Sequence, residues 1–218
     1  MVKIERCPIP PGSLAIEAEK QRGSYSEPDV VRQLKADSND KCYICELSEL
    51  SDPEVEHLRP HYNRRLKDRV FDWNNLFYAC PHCNKVKKAE KYDEKILNCC
   101  ECDPETLLDQ FFIDGHVMVY NKTEDENVRM TADLIYSCFE RKNTGIREAA
   151  CQHRVDALAK TMSVLYRTLE KYKENPQSER YQRSLNEMLN RRSKFAAFKR
   201  CYVRKHLTDY PDLEKLVS

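Results

Sequence analysis

The residues able to do chemistry gather in one stretch of a 218-residue chain. Two C-x-x-C pairs, Cys42/Cys45 and Cys80/Cys83, stand with 34 residues between them. Four thiolates suit a closed tetrahedral zinc site, and a gap longer than the usual zinc-ribbon spacing means that a substantial element lies between the pairs. That gap holds Val55-Glu56-His57-Leu58-Arg59-Pro60 and Asp72-Trp73-Asn74-Asn75-Leu76-Phe77-Tyr78-Ala79, and the second pair runs on as Cys83-Asn84-Lys85-Val86-Lys87. Imidazole titrates near neutral pH and suits proton transfer. Carboxylate and amide oxygens suit a hard divalent cation. An element this small cannot bury enough core unaided, so the four cysteines are expected to hold it together through zinc.

The rest of the chain must position this stretch. Pro8, Pro10, Pro11 and Pro28 mark residues 1–39 as an extended arm leading into a short helix near Val30 to Lys35, packed on the body. Residues 40–95 form the metal module, with the stretch from Cys83 to Tyr92 helical. In Phe111 to Tyr120 two β-prone runs flank Asp114-Gly115, a hairpin signal. Val155, Leu158, Met162, Leu165 and Leu169 recur at helical steps, which predicts an amphipathic helix over about 147–173 ended by Asn175-Pro176. A second helix is expected from about 177 to 206, antiparallel to the first. The fold class is therefore α+β and mainly helical, with residues 96–218 forming a hairpin and a basic helical region suited to docking a partner.

Composition narrows the functions. No apolar run approaches a membrane span, and Lys3, Glu5 and Arg6 occupy the place of a signal peptide's apolar core, so a cytoplasmic protein is expected. Eleven cysteines, an odd number, then read as metal-binding rather than as a disulfide framework. Four scattered glycines cannot build a phosphate-cradling loop of the Walker or dinucleotide kind. Charge is uneven: residues 147–206 carry 15 Lys and Arg against 6 Asp and Glu, whereas residues 96–146 carry 4 against 10. A basic stretch beside a metal module is an electrostatic footprint for nucleic acid, and also what solvated helix faces look like.

Cys42-x-x-Cys45, Glu56-His57-x-x-Pro60, Asn75-Leu76 and Cys80-x-x-Cys83-Asn84-x-x-Lys87 together resemble the pattern of the HNH endonucleases. The resemblance implies a ββα-metal module with Glu56, His57, Asn75 and Asn84 converging on one pocket. In it His57 is the general base that deprotonates water, Asn75 positions the loop or the His57 ring, and Glu56 with Asn84 supplies oxygen ligands to Mg2+ or Mn2+. Asn84 stands where many relatives have His, and Glu56 where Asp is commoner. Arg59, Arg64, Arg65, Lys85 and Lys87 are then candidate phosphate contacts. His61, His82 and the cluster Cys99, Cys100, Cys102 receive no such role, the three cysteines reading as core or redox-exposed thiols, with a second metal site as the alternative.

Looser cues reach further: Lys3-Ile4-Glu5-Arg6, Ile96-Leu97-Asn98-Cys99, Asp103-Pro104-Glu105, the Gly-centred hairpin and a helical run opening at Thr131. With these the chain is similar to the PtuB-like HNH components of Septu and retron-associated anti-phage systems. That similarity implies an effector nuclease acting on phage or host DNA or on host tRNA. Its implied partner is a PtuA-like ABC/SMC-type ATPase, joined in retron versions by a reverse transcriptase and its RNA-DNA hybrid. The competing reading is a catalytically silent, zinc-stabilised module that binds nucleic acid or protein. A thiol-redox protein fits poorly, since neither C-x-x-C pair sits in a βαβ context.

Overall fold

A computed structural model describes residues 1–88 and 90–218. In chain order the elements are α1 (Gly12–Ala18), α2 (Pro28–Asp37), β1 (Glu54–His57), α3 (Lys67–Val70), β2 (Leu76–Ala79), α4 (Pro81–Lys87), α5 (Pro104–Leu107), β3 (Leu108–Ile113), β4 (His116–Asn121), α6 (Glu126–Glu140), α7 (Gly145–Glu174), α8 (Glu179–Leu189), α9 (Ala196–Lys205) and α10 (Glu214–Val217). The fold is α+β, with two small antiparallel sheets among helices. Among the described residues no helix is long and apolar enough to cross a membrane.

β1 pairs with β2 in the register Glu54↔Ala79 to His57↔Leu76, and α4 follows at once. This helix begins at Pro81, ahead of the expected start at Cys83. Proline tolerates the first helical turn, and Cys80 caps it by accepting from the Cys83 amide at 3.4 Å. It closes at Lys87, and a separate 3-10 turn holds Tyr92. Behind the sheet, Val30 and Leu34 of α2 are buried in a small cluster with Leu14, Trp73, Leu76 and Tyr78. α1 was not expected; Ser13 fastens it to α2 through Asp29, Oγ to Oδ1 at 2.6 Å.

The hairpin forms at Asp114-Gly115, where both residues have positive φ (50° and 82°), the geometry of a type I′ turn. Its strands run beyond 111–120 in both directions. α6 opens at Glu126, five residues before Thr131, because Asp125 caps it by accepting from the Asn127 and Val128 amides. α7 spans 30 residues, and Thr144 caps it from Arg147 N. The single helix expected over 177–206 is two. The break at Asn190–Phe195 has three causes: Lys41 Nζ donates to the carbonyls of Arg191 and Ser193, Arg191 turns to Asp103 and Glu105, and Phe195 takes a left-handed φ of 51° to bury its ring against Phe139 and Phe198.

The arm, the metal module and the C-terminal helices share one core. Met1, Ile4, Cys42, Ile44, Phe77, Val86, Phe139, Leu158, Leu165 and Phe198 belong to a single buried cluster. Burying apolar surface from all three stretches in one cluster makes each dependent on the others.

Candidate metal centre and histidine pocket

The metal centre is built by two turns. After Lys41, the Cys42 amide donates to Leu47 O and the Glu46 amide to Cys42 O, which folds Cys42 and Cys45 toward each other. Cys80 and Cys83 sit on the last step out of β2 and the first turn of α4. All four Sγ atoms lie within 4.8 Å of one another and all four residues are buried. The Cys45 and Cys80 sulfurs are 3.9 Å apart, close to the edge of roughly 3.8 Å that a tetrahedron with about 2.3 Å zinc–sulfur bonds requires. The donor set and its spacing fit a structural zinc ion.

Burial pushes the Cys42 and Cys83 thiols well up, while hydrogen bonds from Cys42, Cys45 and Cys83, with the Arg154 charge behind them, hold Cys80 far below the ordinary thiol range. No sequence motif marks Arg154. It lies on α7, 74 residues from Cys80, and donates from Nη2 to Cys80 Sγ at 2.9 Å. Nothing local distinguishes it from the other basic residues of that helix. His82, between two ligands, turns away to Cys138 O at 3.0 Å. Around Cys99, Cys100 and Cys102 no group of three or more metal-ligating side chains forms among the described residues.

The histidine pocket lies at the other end of the same β-hairpin. His57 closes β1, and its Nε2 is 3.0 Å from Val70 O. A carbonyl only accepts, so Nε2 carries the proton and Nδ1 offers its lone pair. Burial, with the charges of Lys87 and Arg64, pushes His57 down to about 4, so the ring is neutral at pH 7. Tyr25 and His61 stand edge-on to it, ring centroids 4.5 Å away. His61 Nδ1 accepts from the Arg64 amide at 2.9 Å.

Asn75, just ahead of β2, pins the loop that follows His57. Its Oδ1 accepts from Arg59 N at 2.7 Å, and its Nδ2 donates to Arg59 O and Arg69 O at 2.9 and 3.0 Å. Of the two roles expected for Asn75, the structure gives it the loop.

Glu56 and Asn84 are placed otherwise than expected. Side chains alternate along a strand, so Glu54 and Glu56 face α4 while Val55 and His57 face Tyr25. Glu56 is 4% exposed and ion-paired to Lys87 Nζ at 2.8 Å; it also accepts from Tyr43 Oη at 2.5 Å. Burial pushes its carboxyl up against the pull of both partners. Asn84 Nδ2 donates instead to Glu54 Oε2 at 2.5 Å. His57 thus faces away from Glu56 across β1, and the two expected oxygen ligands for Mg2+ or Mn2+ are held by protein partners, Glu56 by Lys87 and Tyr43 and Asn84 by Glu54.

The candidate phosphate contacts also divide. Lys87 is buried between Glu56 and His57 O, to which it donates at 3.0 Å, so it presents no charge to a phosphate. Arg64 ties the loop to the N-terminal segment through Gly23 O at 2.6 Å. Arg59 is half-buried with Nη1 unpartnered. Arg65 and Lys85 are exposed and free of such ties among the described residues.

No family model matches the chain, and no curated protein matches it.

Proposed function

We propose that the chain is an HNH-type nuclease that hydrolyses phosphodiester bonds with His57 as general base. One observation supports this most: His57 is neutral, with Nε2 committed to Val70 O and Nδ1 free to take a proton, at the end of a strand braced by the four-cysteine centre. A phosphodiester resists water because water is a weak nucleophile, and a positioned base removes part of that barrier. In this reading Nδ1 takes the proton from the attacking water. Asn75 holds the Arg59 backbone so that the loop presents the phosphate, and Arg59, Arg65 and Lys85 supply positive charge. The HNH resemblance implies Mg2+ or Mn2+ on Glu56 and Asn84, whose side chains are paired here with Lys87 and Glu54. The wider proposal places the protein in the cytoplasm as a PtuB-like effector held by a PtuA-like ABC/SMC-type ATPase, in retron versions also with the reverse transcriptase and its RNA-DNA hybrid.

The test is to co-express the chain with its genomic neighbours, as wild type and His57→Ala, and to sequence the DNA and tRNA ends that accumulate on induction. His57-dependent ends in either pool are the expected result and name the substrate. The Glu56–Lys87 pair favours one second reading, a zinc-held binding module without catalysis. Identical ends from both proteins, with nucleic-acid binding retained in His57→Ala, would establish that module instead.

A further inference from the structure

Arg154 is a buried cation, 5% exposed. Among the described residues it makes no ion pair with a carboxylate. Its Nη1 donates to Ala150 O, one turn back on its own helix, at 2.6 Å, and its Nε is buried without a partner. The one negatively charged group it touches is sulfur: Nη2 donates to Cys80 Sγ at 2.9 Å, and the Cys45 and Cys83 sulfurs act on it through space. A guanidinium cannot shed its proton to relieve burial, so leaving it there without an anion would be strongly destabilising, as for any unpaired buried charge. Four thiolates around one divalent ion carry a net charge of −2 and need a cation for the same reason. Each charge therefore answers the other, and neither is accounted for alone.

We infer that Arg154 is the built-in counter-ion of the four-cysteine centre, a positioning residue through which loading of the metal and docking of α7 onto the finger become one coupled equilibrium. The metal module contributes the anion and α7 the cation, and both belong to the shared core. Linkage requires the coupling to run both ways: zinc strengthens the seating of α7, and a seated α7 strengthens zinc binding. This holds whether or not the chain is a nuclease.

Zinc affinity of the purified full chain, measured by competition with a chromophoric chelator, tests it in wild type, Arg154→Met, Arg154→Gln and Arg154→Lys. Loss of an outer partner of this kind costs about 10- to 100-fold in metal affinity. The expected result is a loss of that size in both Met and Gln variants, with Lys retaining most of the affinity because it keeps the charge. Cobalt-substituted samples should show the thiolate charge-transfer bands displaced in Met and Gln but not in Lys. In hydrogen exchange, adding chelator should release the amides around residues 150–158 in wild type and have less effect in Arg154→Met. Equal affinity in wild type and Arg154→Met, or the same loss in all three variants, would overturn the charge role. If Arg154→Met does not fold, 113Cd-loaded wild type decides: a through-bond coupling between cadmium and the Arg154 guanidinium protons is expected, and its absence would overturn the proposal.

Discussion

The two ends of the β1–β2 hairpin were built to different degrees of closure. At the cysteine end four donors of one kind converge, and a cation from α7 reaches in to meet them. At the histidine end His57 and its loop are set, but the acidic neighbour is spent on an internal pair with Lys87, and Asn84 is spent on Glu54. The contrast follows from how each set is held. A C-x-x-C pair brings its own two ligands together whatever the fold beyond it, so two pairs need only one correct juxtaposition. A Glu-His dipeptide on a strand sends its side chains to opposite faces, so Glu56 and His57 can share a site only at a frayed or twisted strand end.

Removing zinc should break the comparison at its stronger end and give the largest effect. Structural zinc contributes about 10 kcal/mol or more in small metal modules. Metal analysis should find one zinc per chain, and Cys80→Ser or exhaustive chelation should abolish the cooperative thermal transition of the finger and loosen the shared core. Full retention of the melting temperature after complete zinc removal would count against a structural centre.

Exchanging the carboxylate of Glu56 probes the weaker end. Glu56→Gln leaves the Lys87 ammonium buried without its partner, and should cost about 3 to 5 kcal/mol in chemical denaturation. A solvent-facing metal ligand behaves in the opposite way, since removing a repelled carboxylate from a metal-free site stabilises it. A stabilised Glu56→Gln would thus return Glu56 to a ligand role.

How much of this was legible in the sequence depends on the range of each signal. The hairpin is legible in Asp114-Gly115 because a two-residue type I′ turn is a local requirement, and α7 is legible in its apolar steps up to Asn175-Pro176. The four-cysteine group was legible for the same reason. The misplacement of Glu56 could have been foreseen, since strand alternation sets it opposite His57 and on the side of Lys87. Arg154 could not, because its role exists only once α7 crosses the finger. The split between α8 and α9 was hidden similarly: Arg191-Arg192-Ser193 looks like an ordinary helical surface until Asp103, Glu105 and Lys41 arrive from distant positions.

Protonation of His57 offers a finer test. Its folded pKa of about 4 lies below the ordinary 6.5, so the unfolded chain takes up a proton that the folded one resists. Stability is complete above pH 6.5 and declines as the pH falls from there toward 4, by about 3 kcal/mol at pH 4 from this group alone. Proton NMR of the ring should show a titration midpoint near 4. A midpoint near 6.5 would mean that the ring is not held in the buried position described here, since burial is what lowers it. Asn75→Ala comes next, removing three hydrogen bonds to the Arg59 and Arg69 backbone at about 2 kcal/mol. Hydrogen exchange should place the loss in the loop over residues 59–69, with the cysteine end undisturbed.

The smallest expected effect is the most discriminating for the acidic face. Glu54 and Glu56 are two residues apart on one face of β1, yet Glu54 is only half-buried and meets the Asn84 amide instead of a cation. Glu54→Gln keeps a hydrogen-bonding oxygen toward Asn84 and strands no charge, so it should cost under about 1 kcal/mol, as exposed polar pairs do. If so, the tenfold or greater disparity in unfolding equilibrium between the two substitutions measures how completely Lys87 has claimed Glu56. Equal and small costs would mean that the Glu56–Lys87 pair opens readily in solution, which would free the Glu56 carboxylate for a cation on the α4 face of β1.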